Sequence, residues 1–124
     1  MKFAKAILAG VAATLAATSA TAGTPAANGE QVFRQKCQMC HTIAGTAPGP
    51  LAPNLSGVVG RKAASTAFAT YSPALKASGV VWTKANLDRF ISGPAKMVPG
   101  TRMAIAISDP ALRASLVAFL ASKH

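Results

Sequence analysis

The residues best suited to chemistry in this chain are two cysteines and the histidine that follows them. Cys37-Gln38-Met39-Cys40-His41 has the C-x-x-C-H spacing of c-type haem attachment. In such a segment the two thiols bond to the two vinyl groups of one porphyrin, and the next imidazole can reach the iron from the same side. We therefore interpret Cys37, Cys40 and His41 as the anchor of one covalent haem c, with His41 as an iron ligand.

Other interpretations of the cysteine pair fit the chain less well. A thioredoxin-like C-x-x-C needs a strand and helix context, and alternating strand patterns are nearly absent. A zinc site needs a fourth ligand, yet the only other imidazole belongs to His124 at the chain end. A disulfide would close so small a loop that it would add little stability.

A second iron ligand can be sought among the methionines, because histidine paired with methionine is typical of electron-carrying cytochromes. Met39 lies inside the attachment loop and cannot reach the opposite haem face. Met97 stands beside a predicted helical turn, whereas Met103 ends a Pro99–Arg102 turn that leaves it freer to reach an iron. A buried methionine is often only a core side chain, so both residues stay open, with Met103 favoured.

Helices joined by long loops must position these side chains. We predict a first helix from an Asn28 cap to about Met39 and a loop over 42–71, where glycine and proline recur. Caps, prolines and glycines mark three further helices: one from Ser72-Pro73 to Gly79, one capped by Thr83 with the apolar face Leu87, Phe90 and Ile91, and one begun by Asp109-Pro110 with the face Leu112, Leu116, Phe119 and Leu120.

The first 22 residues have the composition of an export signal. A short basic start precedes an apolar stretch from Ala6 to about Leu15, which is shorter than the roughly 20 residues of a membrane span. Ala20 and Ala22 then offer a small-residue cleavage site. We predict a signal peptide at 1–22 and one domain at 23–124, with an uncleaved membrane anchor as the alternative.

The order and spacing of further motifs make the chain resemble the class I cytochromes c, which include mitochondrial cytochrome c and bacterial cytochromes c2 and c550. Beyond the haem-attachment segment, the resemblance rests on Gly29-x3-Phe33-x3-Cys37, Pro53-Asn54-Leu55-x-Gly57, Gly60-Arg61, Tyr71-Ser72, Trp82, Pro99-Gly100-Thr101-x-Met103 and Leu116-x-Ala118-Phe119-Leu120. It implies an all-α fold in which the N- and C-terminal helices cross, with long ordered loops around one haem c. Gly29 and Phe33 would pack against Leu116 and Phe119 at the crossing.

The resemblance also implies a role for each site residue. His41 would be the proximal ligand and Met103 the distal one, while the Pro53 carbonyl would accept the proton of the His41 ring. Arg61, Tyr71 and Trp82 would gather around a haem propionate, where Arg61 would compensate its charge.

The chain departs from its family on the distal side. Leu75 and Phe90 stand where relatives often carry Asn and Tyr, and Ala52 replaces the usual Gly before Pro53. Phe68 is one position away from the usual aromatic site. The resemblance therefore implies a more apolar environment for the distal methionine than is usual.

The implied function is that of a one-electron carrier and not of an enzyme. The carrier would serve respiratory or dehydrogenase partners in the periplasm of a Gram-negative bacterium. The chain has 13 Lys and Arg against 3 Asp and Glu, a net charge of +10. Such a charge would steer acidic protein partners toward the haem edge. Lys36, Lys96 and Arg102 would flank that edge and dock an oxidase, a bc1-type complex or a dehydrogenase. The carrier would be a monomer that meets the membrane only through these partners and does not bind nucleic acid.

Two other functions remain open at this point. The chain could be the dedicated electron-accepting subunit of one dehydrogenase. It could also be a haem peroxidase or a gas-binding cytochrome, if the sixth iron position is open.

Overall fold

The computed structural model describes residues 9–16 and 24–124, where all regular secondary structure is helical. The helices are α1 (Pro25–Lys36), α2 (Pro73–Ala77), α3 (Lys84–Ser92), α4 (Pro94–Met97) and α5 (Pro110–Ala121). One isolated antiparallel bridge joins Lys62 to Val81. The predicted all-α fold with long loops is confirmed.

Three predicted helix caps are confirmed. The side chains of Ser72, Thr83 and Asp109 accept hydrogen bonds from backbone N–H groups in the first turns of α2, α3 and α5. These bonds satisfy donors that a helix start otherwise leaves without a partner. The predicted apolar face of α3, made of Leu87, Phe90 and Ile91, is buried.

The first helix differs at both ends from the predicted one. It begins at Pro25, because proline in the first turn needs no hydrogen-bond partner for its nitrogen. Asn28 is therefore inside the helix, and its backbone N–H donates to the Thr24 carbonyl at 3.0 Å. The helix ends at Lys36, and residues 37–40 form turns instead of a further helical segment.

α1 crosses α5 at Gly29, as the resemblance implied. A Cβ atom on Gly29 would lie 1.9 Å from the Ser115 carbonyl oxygen and 2.7 Å from the Phe119 Cβ. The rings of Phe33 and Phe119 pack at 5.6 Å between centroids. The predicted apolar face of α5 is wrong at Leu112, which is 42 % exposed. The buried residues of α5 are Leu116, Val117, Phe119 and Leu120, and the helix contacts both α1 and α3.

Gly29→Ala should destabilise the protein even though alanine is the better helix former. The propensity gain is about 1 kcal/mol, whereas overpacking a tight contact costs about 1–3 kcal/mol and sometimes more. The overlap is with a backbone oxygen, which cannot rotate away, so the cost should lie at the upper end, about 3 kcal/mol. We therefore expect a net loss of about 2 kcal/mol in the free energy of unfolding. Urea unfolding followed by circular dichroism measures this loss. Gln31→Ala, at an exposed position of the same helix, is the control, and equal stability of the two variants would contradict the prediction.

The predicted signal peptide falls mostly outside the described residues. Its described part, 9–16, is not helical, and its Val11 and Leu15 side chains are 92 % and 94 % exposed. None of the helices in the described ranges combines the length and the apolar character that crossing a bilayer requires. The signal peptide therefore stays a prediction.

Candidate haem site

A cavity of about 400 Å³ lies among the helices and the long loops. Its apolar wall includes residues of α2, α3 and α5, among them Leu75, Phe90 and Leu116. All the residues predicted to bind the cofactor contribute to its lining: Cys37, Cys40, His41, Pro53, Arg61, Tyr71, Trp82 and Met103. The fold thus brings together side chains that are spread over more than half of the sequence.

The turn after α1 presents both cysteines to this cavity. The N–H groups of Cys40 and His41 donate to the Cys37 carbonyl at 3.0 and 2.9 Å, which folds the three residues into one tight turn. Both cysteines are free thiols. Burial, and the neighbouring Cys40, raise the pKa of the Cys37 thiol to about 11. Two free thiols that line one cavity are what thioether bonds to two porphyrin vinyl groups require.

The His41 ring is fixed by the proline loop that follows it. Its Nδ1 lies 2.7 Å from the Pro53 carbonyl oxygen. Because a carbonyl can only accept, Nδ1 carries the proton and donates, and Nε2 keeps a free lone pair. Burial lowers the pKa of His41, although the bond to Pro53 acts in the opposite direction. The ring is therefore a neutral imidazole with Nδ1 anchored and Nε2 free, which is the form that ligates metals.

The loop that carries Pro53 is held by a buried amide whose role the sequence did not reveal. The Asn54 Nδ2 donates to the carbonyls of Ala44 and Ala47 at 3.0 and 2.9 Å, and its Oδ1 accepts from the Ser56 N–H at 2.7 Å. An asparagine within a glycine- and proline-rich segment is the one local signal for such a loop. Asn54 keeps the Pro53 carbonyl facing His41.

Arg61 brings a positive charge to the cavity wall without a carboxylate beside it. Its guanidinium donates to the carbonyls of Ser56 and Asn54 at 3.1 and 2.8 Å. Partial burial lowers its pKa, whereas Tyr71 acts in the opposite direction. The three acidic residues of the chain serve elsewhere: Glu30 pairs with Arg34, Asp88 pairs with Arg113, and Asp109 caps α5. Carbonyls do not neutralise the guanidinium, so this wall suits an anionic group such as a haem propionate.

Two aromatic residues complete the same wall. Tyr71 and Trp82 are both buried, and the Tyr71 hydroxyl forms a hydrogen bond with the Thr66 hydroxyl. The backbone N–H of Trp82 donates to the Arg61 carbonyl at 2.8 Å. The predicted set of Arg61, Tyr71 and Trp82 is thus assembled around one cavity.

The two candidate methionines are separated by the fold. Met103 lines the cavity, whereas Met97 is a partly buried side chain that packs against the hydrophobic core and is absent from the lining. The loop before Met103 is tied down by Arg102, whose Nη1 donates to the Thr70 carbonyl at 2.5 Å. Leu75 and Phe90 also line the cavity, so its wall is apolar at these two positions.

The predicted docking residues are not equivalent. Lys36 and Arg102 are exposed and line the cavity, so they lie at its mouth. Lys96 is exposed on α4 and does not reach the lining. Arg102 also holds the loop before Met103, a role beyond the predicted surface charge.

Several known proteins are similar to this chain in sequence or in fold. Residues 26–123 match the family model for cytochrome c. The chain is 41 % identical over 125 residues to cytochrome c2 of Rhodomicrobium vannielii, an alignment that covers all of this chain and 98 % of that protein. It is 45 % identical over 91 residues to cytochrome c-554 of Methylosinus trichosporium, covering 73 % of this chain and 67 % of that protein. Among solved structures, cytochrome cH from Methylobacterium extorquens superposes with a TM-score of 0.72 at 39 % identity, covering 79 % of this chain and 98 % of that one.

Proposed function

The chain belongs to the cytochrome c family of electron carriers with covalently bound haem c, and from this premise we propose that His41 and Met103 are its axial iron ligands. One observation carries the proposal: a single cavity is lined by both thiols, by an imidazole with a fixed proton and by one of the two candidate methionines. The bound haem supplies a one-electron couple between Fe(III) and Fe(II). Histidine with methionine is the ligand pair that raises the potential of such carriers.

The protein residues around the haem then have separate tasks. Cys37 and Cys40 hold the group permanently, and the Pro53 carbonyl prevents rotation of the His41 ring. Arg61, with Tyr71 and Trp82, receives a propionate. A buried and pre-formed pocket of this kind changes little when the charge on the iron changes, which favours fast electron transfer.

The visible and near-infrared spectra of the purified haem protein test this function. We expect a six-coordinate iron, a near-infrared band of methionine-ligated ferric haem, and only weak binding of carbon monoxide by the reduced protein. A five-coordinate iron that binds carbon monoxide at once would instead support a peroxidase or a gas-binding cytochrome. Stable co-purification with one dehydrogenase would support a dedicated subunit.

We also propose that residues 1–22 direct export to the periplasm and that the carrier works there as a monomer. Acidic redox proteins would be its partners, with Lys36, Lys96 and Arg102 around the docking face. The chain has 13 basic residues against three acidic ones, and Glu30 and Asp88 are paired with arginines, so little negative charge opposes an acidic partner. Complementary charge of this kind raises association rates, and salt reduces the effect.

Reversing one charge at the cavity mouth should slow the reaction with an acidic redox partner. For Lys36→Glu we expect about a fivefold lower bimolecular rate at low ionic strength and a much smaller difference at high salt. Lys84→Glu is the matched control, because Lys84 is exposed on α3 but does not line the cavity. Stopped-flow electron transfer at two salt concentrations gives the comparison. Equal slowing in the two variants would show that only net charge matters and would count against this docking face.

A further inference from the structure

The loop that carries Met103 is held on both sides but not in its middle. On the N-terminal side the Arg102 guanidinium donates to the Thr70 carbonyl, and the Met103 N–H donates to the Thr101 hydroxyl at 3.4 Å. Within the described part of the chain, residues 104–106 form no hydrogen bond to the protein, and all three are exposed. The next anchor is Ile107, which is buried, lines the cavity and donates its N–H to the Ile91 carbonyl at 2.9 Å.

A second contact on the C-terminal side comes from Arg113 on α5. Its Nη1 donates to the carbonyls of Ile107 and Ser108 at 3.0 and 2.8 Å, and its Nε donates to Asp88 at 2.9 Å. Only 13 % of the Arg113 side chain is exposed, compared with 44 % for Asp88. The Arg113 guanidinium thus joins the end of the loop that carries Met103 to both α3 and α5.

We propose that Arg113 is a positioning residue for the distal ligand, a role that rests on the proposed function of Met103. Arg113 does not line the cavity and acts through Ile107, four residues after Met103. Hydrogen bonds from a charged, planar guanidinium are stronger than neutral ones. Lysine has all its donors on one atom and cannot reproduce contacts that Arg113 makes from both Nε and Nη1. Because residues 104–106 have no hydrogen bonds of their own, the chain that follows Met103 is first held at Ile107. There the Ile107 bond to Ile91 and the Arg113 clamp act together.

The test is competition between Met103 and added imidazole for the ferric iron of the haem protein. In Arg113→Lys we expect about a tenfold higher apparent affinity for imidazole, which corresponds to the loss of about one charge-assisted hydrogen bond. The near-infrared methionine band should weaken in parallel, while far-ultraviolet circular dichroism stays unchanged. Asp88→Asn removes the ion pair but keeps both carbonyl contacts, so a smaller rise of about threefold is expected.

Two controls separate positioning from general stability. Arg89→Lys changes an exposed arginine next to Asp88 and should leave the affinity for imidazole at the parent value. In a Met103→Ala background, Arg113→Lys should no longer alter that affinity, because the competing ligand is gone. Should Arg113→Lys not fold, a rise in Asp88→Asn alone supports the clamp.

Several results would overturn the clamp. An unchanged affinity for imidazole in Arg113→Lys would contradict it, whether or not the unfolding midpoint of that variant falls. If Arg113→Lys does not fold, an unchanged affinity in Asp88→Asn would contradict it. An effect that persists in the Met103→Ala background would do so as well. A parent protein without the methionine band refutes the ligand assignment itself, which is a different failure.

Discussion

Met103→Ala will open the reduced iron to carbon monoxide, whereas Met97→Ala will leave it closed. Met103 lines the haem cavity, while Met97 packs against the core outside it. Carbon monoxide can bind only to molecules in which the thioether has left the sixth position. Its apparent affinity is therefore reduced by the fraction of molecules in that open state. If about 1 % of the parent molecules are open, the gain in Met103→Ala is on the order of a hundredfold.

Titration of the reduced proteins with carbon monoxide, followed by the Soret band, measures this difference. Met97→Ala serves as the control because it also removes a partly buried thioether. Any effect of core packing alone should therefore be found in both variants. If Met97→Ala were the variant that binds carbon monoxide, the axial ligand would be reassigned to Met97.

Local sequence indicates one of the two proposed iron ligands more clearly than the other. The C-x-x-C-H segment contains its chemistry within five residues, because both thiols and the imidazole share one turn. The choice between Met97 and Met103 could not be completed in this way, because a helical turn beside Met97 and a freer loop before Met103 only favour Met103. Only the cavity separates them, and it is built by residues from every part of the domain.

The helix predictions were wrong where two local signals compete or where a helix has two neighbours. Asn28 and Pro25 both offer a helix start, and the earlier one prevails because α1 then gains a further turn. On α5, periodicity alone placed Leu112 on the buried face. The helix in fact packs against both α1 and α3, which buries Val117 and leaves Leu112 partly exposed.

Arg113 and Asn54 could not be found from the sequence, because their partners are set by the fold. The acceptors of Arg113 include a carboxylate 25 residues away, and both acceptors of Asn54 are backbone carbonyls. Every residue has a backbone carbonyl, so the residue types at the acceptor positions do not indicate these contacts. Such contacts become visible only when the loops have been placed.

Replacing both cysteines, as Cys37→Ala with Cys40→Ala, should abolish the colour of the protein and also its cooperative fold. Without thioether bonds the haem can dissociate and leave a cavity of about 400 Å³. At about 24 cal/mol per Å³, an empty space of that size would cost roughly 10 kcal/mol. The whole stability of a domain is only about 5–15 kcal/mol, so the haem-free chain cannot keep the cavity open and should lose its helices.

Thermal unfolding followed by circular dichroism, together with the visible spectrum, checks both parts of this prediction. Met39→Ala is the matched control, because Met39 lies between the two cysteines but is 79 % exposed. It should keep the haem and the parent transition. Each single cysteine variant retains one thioether bond and should therefore stay coloured and folded. If the colourless double variant still unfolded cooperatively, with the helical content of the parent, the polypeptide core would be sufficient without the haem, because the cavity would have collapsed at a much lower cost than the volume predicts.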